Sequence, residues 1–377
     1  MTSVQTEPLG KDCTEGIEKQ NCELVEFSEN GIYNCFDIKK GKGNFVMRDE
    51  IKRTCDLLFA NREVVHDTSR WNDALMITAA ALSYTGAGRQ ADGYRINECK
   101  KLIKENTGLL SSLRSTAEPI VVSKMSMAAD PQQYIRDLVQ VYDKISKAKF
   151  SEGAYIAQAA LAVCDAGRAR EIDELVLRFK QLFKLMSQDH PFLTSSEDIV
   201  FAMLLVMTDK PVDRIADEME QCYSYLKEQL KHRVGANELQ GISEVLVLLD
   251  ADTKTKCDRV IRLYDTFAKH GFKYGAQFGE FASLGVFADM DGDYDALVDE
   301  IMELEAYLKG NKGFGGLNMD KKQRMLFATV MVRNAYATCD ALALNAAINT
   351  SVAVIVAEEI AIMTCVYMSI ITSNSSS

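Results

Sequence analysis

The chain has 377 residues, 47% hydrophobic and 26% charged, so it carries enough apolar material for a sizeable core. A net charge of −11 argues against a duplex nucleic-acid surface as the main partner, since an acidic face repels a phosphate backbone. Ten cysteines are scattered singly with no C-x-x-C pair, which fits reduced thiols in a cytoplasmic protein and not a disulfide framework.

Residues 1–45 are polar, acidic and weakly patterned, and predict an N-terminal arm, either a tail or loosely docked. The opening Met-Thr-Ser-Val-Gln-Thr-Glu-Pro has neither the basic nor the apolar region of a signal peptide. A first helix is predicted from Val46 to Val65, with Ile51, Cys55, Leu58 and Phe59 on one face.

Helical hairpins are then predicted in series. Asn72–Tyr84 and Asn97–Asn106 form one, broken by Gly86-Ala-Gly88. A capping box, Ser115-Thr-Ala-Glu118, and then Pro119 open the next, whose helices are Ile120–Ala129 and Gln132–Ala148, with Asp130-Pro131 between them. Ile120-Val-Val122 taken alone could be a strand; the capping signals around it favour helix. From Phe150 onward a period is visible: Phe150 to Phe192 and Phe272 to Phe314 each span 42 residues. Each unit pairs a densely apolar helix (Tyr155–Val163, Ile199–Met207, Ile242–Leu249, Phe278–Phe287, Met325–Val332) with an amphipathic one such as Ile215, Met219, Cys222, Tyr223, Leu226 and Leu230. Asp165, Asp209, Asp250 and Asp289 follow four of the apolar helices.

A repeat of two helices in about 40 residues predicts an all-α fold of stacked hairpins, a HEAT-like solenoid, because one hairpin cannot cover its own apolar face. A closed α/α toroid is the alternative. The expected division is the arm at 1–45, the hairpins at 46–333, and an apolar C-terminal helix with disordered last residues at 334–377.

Three stretches invite a functional reading. Asp289, Asp291, Asp293, Asp295 and Glu300 fall at positions 1, 3, 5, 7 and 12 of a calcium loop, yet the glycine is at position 4 where position 6 needs it. The plainer reading is an acidic turn whose aspartates cap the next helix. Gly310 to Gly316 is a glycine-rich loop leading into a basic first turn. Lys312, Gly313, Gly315, Gly316, Lys321, Lys322 and Arg324 could hold an anion there, although no Walker pattern is present and an inter-repeat turn is the plainer reading of the glycines. From Ala341 to Ile371 the chain is apolar nearly all round, with Glu358 and Glu359 its only charges. Two adjacent glutamates would be costly in a bilayer, so a buried closing helix or a homodimer seam is expected ahead of a membrane span.

Only four histidines occur, with no H-E-x-x-H, and there is no G-x-S-x-G. Trp71 is the sole tryptophan, which weakens the reading of a sugar-cleaving toroid. Phe59-Ala-Asn-Arg62, Lys312-Gly-Phe-Gly315 and Lys321-Lys-Gln-Arg-Met-Leu-Phe-Ala328 carry a resemblance to a bacterial family catalogued only as a domain of unknown function. The resemblance spans roughly residues 46 to 371. It implies a bacterial origin and brings no activity or functional residue. The function expected by analogy of fold is protein or peptide binding along the inter-helix turns. Its rivals are a toroid enzyme using carboxylates such as Asp289, Asp291, Glu358 and Glu359, and membrane association through the C-terminal stretch.

Overall fold

The computed structural model describes residues 47–69, 73–109, 111–149, 153–191, 193–274, 280–316, 318–337, 355–358 and 360–361. Every described residue belongs to one compact unit. The expected arm at 1–45, Trp71, Phe150, Phe192, Gly275, Phe278, Glu359, Cys13, Cys22, Cys35, Cys339, Cys365 and most of the stretch from Ala341 to Ile371 lie outside the described residues.

The fold is all-helical, with no strand among the described residues. The helices are α1 (Asp49–Thr68), α2 (Ala74–Gly86), α3 (Gly93–Asn106), α4 (Glu118–Met127), α5 (Pro131–Lys149), α6 (Ala154–Asp165) and α7 (Ile172–Asp189). They continue as α8 (Ile199–Val206), α9 (Val212–Leu230), α10 (Ala236–Val247), α11 (Thr253–Lys269), α12 (Tyr294–Lys309) and α13 (Lys321–Ala337). Aspartates mark several starts. The carboxylates of Asp73, Asp92, Asp130, Asp252 and Asp293 each accept from an amide two or three residues ahead, satisfying donors that a helix start leaves open.

Two local expectations change. The Ser115–Glu118 capping box does not form: a 3-10 turn at Ser112–Arg114 runs up to the helix, and Ser115 Oγ donates to the Ser112 carbonyl instead. The apolar segment Glu280–Phe287 coils as a 3-10 helix where the periodicity predicts an α-helix. There Gly285 lies so close to α10 that a Cβ would stand 2.7 Å from Val245 Cγ1, which only a glycine permits.

The packing follows the two kinds of helix. The apolar helices touch in the series α2, α4, α6, α8, α10, the 3-10 segment and α13. In α8 the burial extends all round, and every one of its residues is buried. The amphipathic helices touch in the parallel series α1, α3, α5, α7, α9, α11 and α12. Their buried positions recur at three and four residues, as in Ile215, Met219, Cys222, Leu226 and Leu230 of α9. In addition α1 contacts α13. Arg48, just before α1, forks onto Glu300 of α12 at 2.5 and 2.9 Å, and Phe59 of α1 meets Phe314 edge-on at 5.6 Å between ring centres.

A basic side chain of one hairpin repeatedly reaches the carbonyls that end the next apolar helix. Arg95 donates to Ala128, Arg178 to Val206 and Thr208, Lys210 to Val247, and Arg259 to Ala288. The last carbonyls of a helix lack intrahelical donors and carry the negative end of its dipole, so these cations satisfy both needs and fix the spacing between units.

The described C-terminal residues 355–358 and 360–361 are helical and buried within the chain itself. Glu358 is fully inaccessible. It accepts from Ser83 of α2 at 2.6 Å and from Gln158 of α6, and pairs with Lys124 of α4 at 3.3 Å. Lys124 also reaches Asp165 at 2.7 Å; its ammonium is desolvated, yet the two carboxylates hold its pKa above the usual lysine range. No described helix is long and apolar enough to cross a membrane.

Candidate functional site

The glycine-rich loop after α12 closes over α1 and the first turn of α2, and a cavity of about 500 Å³ lies between them. Helix α1 contributes Phe59, Arg62, Glu63, His66 and Asp67, whose spacing of three and four residues puts them along one face. Ala74 and Ile77 supply an apolar wall from α2, and Asn311, Lys312, Gly313 and Asn318 come from the loop.

Arg62 is the buried charge of this cavity, at 8% exposure. Its Nε donates to Thr78 Oγ1 at 2.8 Å and its Nη2 to the Gly313 carbonyl at 3.2 Å, while the guanidinium lies 5.2 Å from the centre of the Phe314 ring. No ion pair ties it to a carboxylate among the described residues, and burial lowers its pKa. Gly313 is needed twice over. Its φ of +90° suits glycine, and a Cβ would stand 1.9 Å from Arg62 Nη1. Glu63, His66 and Asp67 are exposed at the rim, with His66 Nδ1 3.5 Å from Asp67 Oδ1, and Lys312 is exposed opposite them on the loop.

Of the predicted anion-binding residues, then, Lys312 and Gly313 line the cavity. Gly315 packs on the end of α12, where a Cβ would meet the Lys309 carbonyl at 2.6 Å, and Gly316 turns with φ +63°. Lys321 lies over the Phe272 ring and Lys322 pairs with Glu280 at 3.3 Å. Arg324 is buried, donating to Glu305 at 2.7 Å and to the carbonyls of Phe314 and Met319, so it holds the loop's shape from beneath.

The five carboxylates of the acidic turn point to five different places. Asp289 accepts from Arg333 at 2.9 Å; Asp291 faces Arg262 and accepts from its own Gly292 amide; Asp293 caps α12. Asp295 meets His270 at 3.1 Å, and Glu300 is buried against Arg48. Among the described residues no group of three or more His, Cys, Asp or Glu could hold a metal ion.

The sequence alone does not single out Arg62, Glu63, His66 or Asp67 as a site. In it Phe59 to Arg62 and Lys312 to Gly315 stand out only as separate motifs carrying the family resemblance. Brought together by the fold, they form opposite walls of one cavity. The model of a protein family of unknown function, DUF4003, matches residues 62–361, most of the chain. The chain belongs to this family. The match runs through the Arg62 floor, the DUF4003 loop from Gly310 to Gly316 and the buried Glu358. No curated protein and no solved structure matches the chain.

Proposed function

We propose that the hairpins close into an α/α ring and that the chain acts by binding a small molecule in the cavity between α1, α2 and the loop 310–318. The observation that carries this reading is the joint between Arg62 and Gly313. Residues 251 positions apart meet there by hydrogen bond, and Phe59, held edge-on by Phe314, helps wall a cavity of ligand size. Closure is supported by the same region, where α1 packs on α13 and Arg48 on Glu300, and by the two parallel series of helices. Protein recognition along the turns has less support, because the large exposed apolar side chains among the described residues (Tyr94, Leu109, Leu177, Tyr307) are scattered over α3, the turn after it, α7 and α12. A cytoplasmic location is supported by Cys55, Cys99, Cys164, Cys222 and Cys257, all free thiols.

Fragment screening by ligand-observed NMR tests the reading. Fragments should bind the full chain and lose binding in Ala74→Trp, which fills the apolar wall. Equal binding to both proteins, or no binding to either, would overturn it.

A further inference from the structure

The cavity has a floor and a rim of different chemistry, and this polarity restricts what can fill it. At the floor, a guanidinium carries five N–H donors, of which Arg62 spends one on Thr78 and one on Gly313. Among the described residues no further hydrogen bond takes up Nη1, and a guanidinium matches a carboxylate in two-point fashion. A buried arginine that no carboxylate pairs with among the described residues carries a desolvation cost that an anionic ligand would relieve.

The rim has the opposite sign on one side. Glu63 and Asp67 stand one helical turn apart and flank His66, while Lys312 faces them from the loop. A dianionic phosphate would gain Arg62 and Lys312 but would lie beside two carboxylates on a chain of net charge −11. A ligand carrying both signs meets no such conflict. Arg62 and Glu63 both line this one cavity, so a positive floor and an acidic rim are presented to the same small ligand. Phe59, Ala74 and Ile77 leave an apolar wall for a side chain.

Resting on the reading of this cavity as a small-molecule site, we infer that its ligand is a small zwitterion of the amino-acid type. Its carboxylate is held by Arg62 and its ammonium by the Glu63–Asp67 rim.

The test uses the full chain, titrated by calorimetry and thermal shift with each free L-amino acid, its carboxamide, its N-acetyl derivative, and inorganic phosphate. At least one free amino acid should bind and raise the melting temperature. Its carboxamide, lacking the anion, and its N-acetyl form, lacking the cation, should each bind tenfold or more weakly. Arg62→Met should abolish binding of the free amino acid. Because that variant removes a buried anchor, Glu63→Gln serves as a second probe: exposed at the rim, it should narrow the gap between the free and N-acetyl forms. Binding of no amino acid, equal binding of the carboxamide, stronger binding of phosphate, or an unchanged gap in Glu63→Gln would each overturn the assignment. Uncharged fragments that bind the wild type and not Ala74→Trp would, in that event, leave the pocket standing and remove only the ligand class. Fragments indifferent to Ala74→Trp would remove the pocket as well.

Discussion

Gly313 and Gly316 sit three residues apart in one loop, both at positive φ, and they separate two costs of placing a side chain there. At Gly316 (φ +63°) a Cβ meets nothing within 4 Å, so Gly316→Ala should cost only the backbone term of about 1 kcal/mol. At Gly313 (φ +90°) the same methyl would collide with the Arg62 guanidinium, whose bonds to Thr78 and the Gly313 carbonyl must then shift. Gly313→Ala should therefore cost about 3 kcal/mol, the backbone strain plus a displaced buried charge. Urea unfolding of the two variants checks this, and equal losses would refute the account of Gly313. The loop's glycines and Lys312 are legible in the sequence because a glycine run before a basic turn is a local signal. Arg62 is not legible as a site residue. It looks like any polar position of an amphipathic helix until the fold brings the chain from 251 residues away against it.

At the scale of elements the sequence is a better guide. Hairpin order and the division into apolar and amphipathic helices follow from periodicity and aspartate caps, which are local; the inter-hairpin ties are not. Glu218 of α9 illustrates such a tie, reaching Lys256 of α11 and, at 3.0 Å, Lys210, with Lys256 wholly inaccessible. Burial alone would raise the Glu218 pKa, but the two ammonium groups outweigh it and the carboxyl titrates below its ordinary 4.5. A carboxyl whose pKa is depressed on folding contributes stability above its unfolded pKa and loses it as pH falls through the folded value. Glu218→Gln should thus cost about 3 kcal/mol at neutral pH by leaving Lys256 buried without its carboxylate. The gap from wild type should shrink as pH drops below about 4.5. Chemical denaturation at a series of pH values measures this, and a gap that stays constant into acid would contradict the assignment of the pair. The buried Glu358 marks the same limit of local reading: its charge within an apolar run signals a need for partners, while Ser83, Lys124 and Gln158 are identified only by packing.

For the molecule as a whole, the proposed ring and an open stack make opposite statements about α1. In an open stack α1 is a terminal element, and its removal frays the neighbours it covers, α2 and α3, while the far end keeps its contacts. In a ring α1 is also the neighbour of the last hairpin, through Arg48 on Glu300, Phe59 on Tyr307 and Phe314, and the contact of α1 with α13. Deleting residues 1–69 would then strip α12, the loop 310–318 and α13 of a covering face, although they lie more than two hundred residues away in sequence. Glu300, 1% exposed in the intact chain, would be left without its arginine, a further cost of about 3 kcal/mol at that end. Hydrogen–deuterium exchange of the truncated protein should accordingly rise in two separated places, α2–α3 and α12–α13, with α6–α9 still protected. Faster exchange confined to α2 and α3 would mean that the ends do not depend on each other, and the ring would have to be given up.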